Sequence, residues 1–106
     1  MYPLPLIEIL THPQAKLVPI RSTFNFTCTS SVSSNHHNIV FSWTHNGISI
    51  NQSSSTIDDT SILTITNVRQ SDAGSYVCTV SSGSVSVMSN PATLTVYGKI
   101  VCVAML

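Results

Sequence analysis

The sequence predicts an all-β fold, and three observations support this prediction. Short runs of residues alternate between apolar and polar side chains with a period of two, and polar turn clusters separate these runs. No stretch of helical length has apolar residues at the three- and four-residue spacing of an amphipathic helix. Val, Ile and Thr, which favour strands, are plentiful, whereas Ala and Glu are sparse.

Two predicted strand regions come first along the chain. The first extends from Leu6 to Val18 and is broken by Pro13, which is typical of an edge strand because proline cannot donate a ladder hydrogen bond. The second extends from Ser22 to Ser30. Within it, Cys28 lies on the apolar face, so Asn25, with the opposite parity, is expected to face solvent.

A hairpin is the clearest local signal in the middle of the chain. A strand from Ile39 to Thr44 places Trp43 on its apolar face and leads to the dipeptide Asn46-Gly47. This dipeptide favours a type I′ turn, because both central residues of that turn need positive φ. After the short returning strand, the polar sequence from Asn51 to Thr60 predicts a loose segment.

Two further strands enclose a turn. In the first of them, Leu63 points to the apolar side and Thr64 to the polar side. The turn covers Gln70 to Gly74, and the next strand runs from Ser75 to Ser81 with Tyr76 on its inward face.

The last predicted strand, from Val85 to Tyr97, contains a change of phase. Val87 and Leu94 are both apolar, but they have opposite parity and therefore cannot share one face of a regular strand. A β-bulge between Met88 and Pro91 would add one residue and return the apolar side chains to the same face.

The composition describes a single domain with very little charge. The chain has 106 residues, of which 42% are hydrophobic and only 8% are charged, and its formal net charge is zero. A basic surface for nucleic acid is therefore excluded, because such binding depends on clustered Lys and Arg. No cofactor-binding pattern is present either, since the chain lacks a glycine-rich phosphate loop.

The three cysteines indicate one pair and one remaining thiol. Cys28 and Cys78 each lie within a predicted strand, whereas Cys102 lies in a short apolar tail. No CxxC pair or zinc-type spacing is present. A structural pair would imply an oxidising compartment, and the alternative is that all three are reduced core thiols. For Cys102 the alternatives are a residue of a truncated membrane span, a free thiol or an intermolecular disulfide.

The two ends of the chain lack complete targeting signals. Residues 1–5 are expected to form a disordered lead, because two prolines interrupt a stretch that has no basic region before it. Residues 99–106 form an apolar tail that is shorter than the roughly 20 residues a membrane span needs. We interpret the chain as a fragment without its signal peptide, in which the tail is either the start of a span or simply an end.

The segment Asp72-Ala73-Gly74-Ser75-Tyr76-Val77-Cys78 resembles the D-x-G-x-Y-x-C motif of the immunoglobulin superfamily. Cys28 and Trp43 occur where that family places its first cysteine and its core tryptophan. The resemblance covers residues 6–98 and is closest to the intermediate (I-set) and C2 types.

This resemblance implies a two-sheet antiparallel β-sandwich with one inter-sheet disulfide, between Cys28 and Cys78. Trp43 would pack against the disulfide, and Leu63 would belong to the same core. The hydroxyl of Tyr76 would bond to backbone upstream of it, forming a tyrosine corner.

The motif also assigns roles to two turn residues. Asp72 would form an Asx-type hydrogen bond, and Gly74 would provide permissive φ at the start of the strand. Many family members pair this aspartate with an arginine of a preceding strand, but the stretch from Asn51 to Thr60 contains no arginine. The sequence therefore departs from the family pattern at this ion pair.

Two N-x-S/T sequons are candidates for glycosylation, at Asn25 and Asn51. Asn25 is predicted to face solvent, and Asn51 follows a strand in a polar segment, so both positions suit a glycan if the chain is secreted. In a chain so rich in Ser and Thr, the alternative is that a sequon occurs by chance.

The titratable residues do not predict an enzyme or a metal site. The histidines are expected at the surface, without a placed Cys or carboxylate partner; they are His12, His36, His37 and His45. Asp58-Asp59 is the one paired carboxylate, and its polar surroundings favour a solvated turn over an acid/base pair. No nucleophile elbow is present.

The resemblance implies a non-catalytic extracellular recognition or adhesion module, one domain of a cell-surface receptor or adhesion protein. We expect one sheet to bind a protein partner, either a different protein or a second copy, through an outward face that a glycan on Asn25 would leave open. The residues of this face are Val40, Ser42, Thr44, Val77 and Thr79. The alternatives are a structural spacer, as in intracellular filaments, and a secreted single-domain binder.

Overall fold

The computed structural model describes residues 7–32, 39–50, 54–83 and 85–98. The predicted lead, the apolar tail with Cys102, the pair His36-His37 and the second sequon at Asn51 lie outside these ranges. The strands are β1 (Ile9–Thr11), β2 (Lys16–Pro19), β3 (Phe24–Ser30), β4 (Val40–His45), β5 (Ile48–Ser49), β6 (Ser54–Ile57), β7 (Thr60–Ile65), β8 (Gly74–Ser82), β9 (Val85–Met88) and β10 (Ala92–Tyr97). A 3-10 turn, Gln70–Asp72, precedes β8.

The strands form two sheets, which confirms the predicted all-β sandwich. One sheet has the order β1-β3-β7-β6, and the other has the order β2-β10-β8-β4-β5, with β9 also paired to β8. Among the described strands, every pairing is antiparallel except that of β2 with β10, which is parallel. In the described part of the chain, no helix is long and apolar enough to cross a membrane.

The first predicted strand region is divided between the two sheets. Before Pro13, β1 pairs with β3, and Ile9 lies opposite Ser30. After Pro13, β2 pairs with β10, and Val18 lies opposite Val96. The break of the strand at the proline is as predicted. The change of sheet was not predicted, because the residues before and after the proline have the same edge-strand pattern.

The expectation of a loose segment from Asn51 to Thr60 is wrong for Ser54–Ile57, which form the edge strand β6. All four side chains of β6 are exposed, so no alternation of burial marked the strand in the sequence. Its ladder with β7, in which Ser55 lies opposite Ile62, defines it instead. This strand depends on its neighbour rather than on its own residues.

The predicted β-bulge in the last strand is confirmed. Met88 lies opposite Thr79, whereas Ala92 lies opposite Tyr76, so residues 89–91 face only two residues of β8. The extra residue divides the predicted strand into β9 and β10. It also returns the apolar side chains to the core. The inward residues of β9 have odd numbers, whereas the buried residues of β10, of which Ala92 is the first, have even numbers.

The core lies between the sheets and is built around three aromatic side chains. Phe26, Trp43 and Tyr76 are 1%, 2% and 2% exposed. The ring of Phe26 stacks on that of Trp43 at a centroid distance of 6.3 Å and lies 5.0 Å from that of Tyr76. Burying each such side chain contributes about 1.5–3 kcal/mol, so this cluster is a major source of stability.

Candidate functional site

A disulfide joins Cys28 of β3 to Cys78 of β8 and therefore links the two sheets. Both residues are fully buried, and Trp43, the neighbour of Cys78 across the β4–β8 ladder, is also in the core. Leu63 is 1% exposed and packs in the same cluster. The structure thus places these residues as the resemblance implied.

Tyr76 forms the expected tyrosine corner. Its hydroxyl donates a hydrogen bond to the backbone carbonyl of Asp72 at 2.5 Å. Burial raises the pKa of Tyr76 to about 12, and the nearby negative charge of Asp72 acts in the same direction. The protonated phenol, which is the only form that can donate this hydrogen bond, is therefore favoured in the folded state.

The turn before β8 is held by Asp72 and Gly74. A carboxylate oxygen of Asp72, Oδ2, accepts a hydrogen bond from the backbone N–H of Arg69, three residues earlier, at 2.8 Å. The predicted Asx-type bond, which would reach the backbone two residues further on, is therefore wrong for this contact. Gly74 has a φ of +140°, and a Cβ atom there would lie 2.5 Å from Oδ1 of Asn46. That oxygen accepts a hydrogen bond from the backbone N–H of Ser75 at 2.8 Å.

Asn46 therefore has two roles, of which the sequence indicated one. Asn46 and Gly47 have φ values of +53° and +83°, in agreement with the predicted hairpin turn. The contact of the Asn46 side chain with the start of β8 was missed, because the two segments are distant in sequence and no local pattern links them. The one signal in the sequence was the glycine of the D-x-G motif. A glycine there indicates that another group approaches the backbone closely, but it does not identify that group.

The described histidines have structural partners. Nε2 of His45 lies 2.8 Å from the backbone oxygen of Ala73, and its ring stacks on that of Tyr76 at 4.4 Å. Nδ1 of His12 accepts a hydrogen bond from the backbone N–H of Asn90 at 3.0 Å. Within the described ranges, no three His, Cys, Asp or Glu side chains are grouped so as to hold a metal ion.

The five residues of the expected partner face lie on the outward side of β4 and β8. Val40, Ser42 and Thr44 alternate with inward residues of β4, and Val77 and Thr79 alternate with inward residues of β8. Across the ladder, Ser42 lies opposite Thr79, and Thr44 lies opposite Val77. The sheet therefore brings these side chains together as one continuous patch, which we call the recognition face.

Met88 extends the recognition face and was missed by the sequence analysis. It lies on β9 opposite Thr79 and is 68% exposed, while Val40 at the other side of β8 is 59% exposed. Its parity, opposite to that of Val87, was a usable signal, but the adjacent bulge obscured it. Strands β4, β8 and β9 contain no Asp, Glu, Lys or Arg, so the face is uncharged.

Asn25 lies on the other sheet, exposed at the outward side of β3. Its side-chain oxygen Oδ1 accepts a hydrogen bond from the hydroxyl of Thr64 on β7 at 2.8 Å. This hydrogen bond fixes the carboxamide through its oxygen and not through Nδ2, the atom to which an N-glycan is attached.

Comparison with known proteins agrees with this geometry. A family-level sequence model described as "Immunoglobulin domain" matches residues 7–82. The chain belongs to the immunoglobulin domain family. No curated protein matches the chain.

Solved structures of immunoglobulin domains share the fold of this chain. A structure described as "IG27 protein domain" has a TM-score of 0.73 at 19% identity, and the match covers 86% of this chain and 97% of the chain in that structure. Domain I10 from titin has a TM-score of 0.70 at 26% identity, with coverages of 88% and 100%. Domain I81 from titin has a TM-score of 0.69 at 19% identity, with coverages of 90% and 100%.

The Gly74→Ala variant should be markedly less stable than the parent immunoglobulin domain. The new Cβ would collide with the Asn46 carboxamide, in addition to the strain of an unfavourable φ. Gly83→Ala is the control for a Cβ at positive φ (+62°) in open space, and the double variant Gly74→Ala/Asn46→Gly separates the collision with Asn46 from the larger backbone strain at φ +140°. We expect Gly83→Ala to cost about 1 kcal/mol and Gly74→Ala several-fold more, measured by urea unfolding. A double variant in which the loss from Gly74→Ala is as large as in the single variant would contradict the role assigned to Asn46.

The immunoglobulin domain should lose stability at alkaline pH through Tyr76. Its folded-state pKa of about 12 is above the value of about 10 in an unfolded chain, so the stabilisation is complete below pH 10. It is lost as the pH rises from 10 through 12. In Tyr76→Phe, the free energy of unfolding should be lower at pH 8 but should change less between pH 10 and pH 12. A parallel pH dependence in both proteins would contradict this assignment.

Proposed function

We propose that this immunoglobulin domain is an extracellular protein-recognition module that binds its partner through the recognition face. The observation that carries the proposal is the chemistry of that face, in which Val40 and Met88 are exposed beside small neutral side chains. Protein interfaces combine an apolar centre with polar groups and are depleted in charged residues at the centre. Immunoglobulin domains generally act by binding, so the proposed mechanism is passive presentation of a rigid surface.

The position of Asn25 supports the choice between the two sheets. Charge does not distinguish them, because the strands of the four-stranded sheet also lack Asp, Glu, Lys and Arg. A glycan on Asn25 would cover the outward side of the four-stranded sheet and leave the recognition face open. The buried disulfide supports the extracellular part of the proposal, since such bonds form and persist in oxidising compartments.

A structural spacer is the second candidate function. The similarity to domains I10 and I81 from titin favours it, because the fold and nearly the whole length of those domains match this chain. A spacer transmits load along a string of domains and needs no binding face. The two functions therefore differ in what happens when the recognition face is altered.

Val77→Arg should abolish binding of the partner or self-association. Val77 lies opposite Thr44 on the outward side of β8, so an arginine there places a charge on the face without entering the core. Ile57→Arg is the matched control, because Ile57 is 72% exposed on an edge strand of the other sheet.

Two measurements separate the candidates. Sedimentation equilibrium detects self-association. To detect a heterophilic partner, the immobilised domain is used to capture cell-surface proteins from the native tissue. Each captured protein is then identified, purified and tested for binding to the domain. Recognition requires that Ile57→Arg binds as the parent does while Val77→Arg, shown to be folded, does not. Equal behaviour of the two variants would contradict the recognition face and favour the spacer.

Asn25 should carry an N-glycan when the chain passes through a eukaryotic secretory pathway. We expect a glycopeptide that contains Asn25 in the mass spectrum, and we expect Thr27→Ala to abolish it, because the sequon needs a hydroxyl residue at that position. Thr29→Ala, a nearby threonine on the same strand outside the sequon, is the control. Unmodified Asn25 in a folded secreted protein would contradict the glycan-based choice between the sheets.

A further inference from the structure

A second link joins the two sheets directly beside the disulfide. The indole Nε1–H of Trp43 donates a hydrogen bond to the hydroxyl of Ser61 at 3.0 Å, in a buried environment. Trp43 is on β4 in the six-stranded sheet, and Ser61 is on β7 in the four-stranded sheet. This hydrogen bond therefore crosses the core in the same way as the Cys28–Cys78 bond.

The two links occupy neighbouring positions of both ladders. Cys28 lies opposite Ser61 in the β3–β7 ladder, and Cys78 lies opposite Trp43 in the β4–β8 ladder. The four residues thus form a rectangle, with a covalent bond along one side between the sheets and a hydrogen bond along the other. All four are 0–2% exposed, so water does not compete for the hydrogen bond.

Reduction of the disulfide would leave the second link in place. A buried thiol behaves as a small apolar side chain, so two cysteines in this position leave no polar group without a partner. Separating the sheets would, by contrast, take the indole N–H of Trp43 away from its buried acceptor, which is unfavourable. We propose that the Trp43–Ser61 hydrogen bond keeps the sheets in register when Cys28 and Cys78 are reduced, so that the domain stays folded in a reducing environment.

The test compares Ser61→Ala with Ser30→Ala under oxidising and reducing conditions. Both serines are fully buried in the four-stranded sheet. The hydroxyl of Ser30, however, hydrogen-bonds to the backbone of Val32, two residues further along its own chain segment. Ser30→Ala thus removes a buried hydroxyl without removing an inter-sheet link.

Trp43 is the sole tryptophan of the chain, so its fluorescence during urea unfolding reports on this part of the core. In the oxidised protein, each serine variant should raise the unfolding equilibrium constant roughly 5- to 150-fold. The effects of neighbouring interactions are not additive. After reduction, the increase in the unfolding equilibrium constant caused by Ser61→Ala should therefore be larger by a further factor of roughly 2 to 150. The increase caused by Ser30→Ala should not change. The double variant Cys28→Ala/Cys78→Ala repeats the reduced arm without a reductant.

The proposal holds if the reduced parent protein unfolds cooperatively and only Ser61→Ala becomes more damaging on reduction. A reduced parent that lacks a cooperative transition would overturn it, because the hydrogen bond would then be insufficient. An effect of Ser61→Ala that is the same in both redox states would also overturn it. So would an equal increase for Ser30→Ala, since any buried serine would then explain the result.

Discussion

The packing of two sheets against one apolar layer is the constraint on which the rest of this structure depends. Cys28, Trp43 and Cys78 lie at its centre, and the disulfide fixes the distance between β3 and β8. Closing a chain loop of this size stabilises the fold by roughly 3–4.7 kcal/mol in the chain-entropy model. Every strand that contributes an inward residue must keep its register against this layer, which explains why the extra residue at 89–91 is absorbed as a bulge.

A second set of contacts positions the start of β8 relative to the β4–β5 hairpin. The hydroxyl of Tyr76 bonds to the turn residue Asp72, and the Asn46 carboxamide bonds to the backbone of Ser75. Both contacts tie a turn to the strand that carries Cys78. The motif glycine, Gly74, is part of this arrangement because its missing side chain leaves room for Asn46.

The distribution of charge follows from the same architecture and bears on function. The strands at the centre of both sheets lack charged side chains, while Asp58 and Asp59 lie at the β6–β7 turn, and Arg69 and Asp72 flank the turn before β8. The outward sides of these central strands are therefore uncharged, and recognition through either of them would rely on shape and apolar contact.

The sequence by itself determined the fold class, the central residues of the core and which side chains of β4 and β8 point outward. Each follows from a local pattern or a short motif: alternation gives the faces of a strand, and the D-x-G-x-Y-x-C segment identifies the family of the chain. The change of sheet at Pro13, the exposed strand β6, the Asn46–Ser75 contact and the Trp43–Ser61 hydrogen bond were decided only by the tertiary structure. They depend on which distant segments become neighbours, and no local pattern of side chains specifies that pairing.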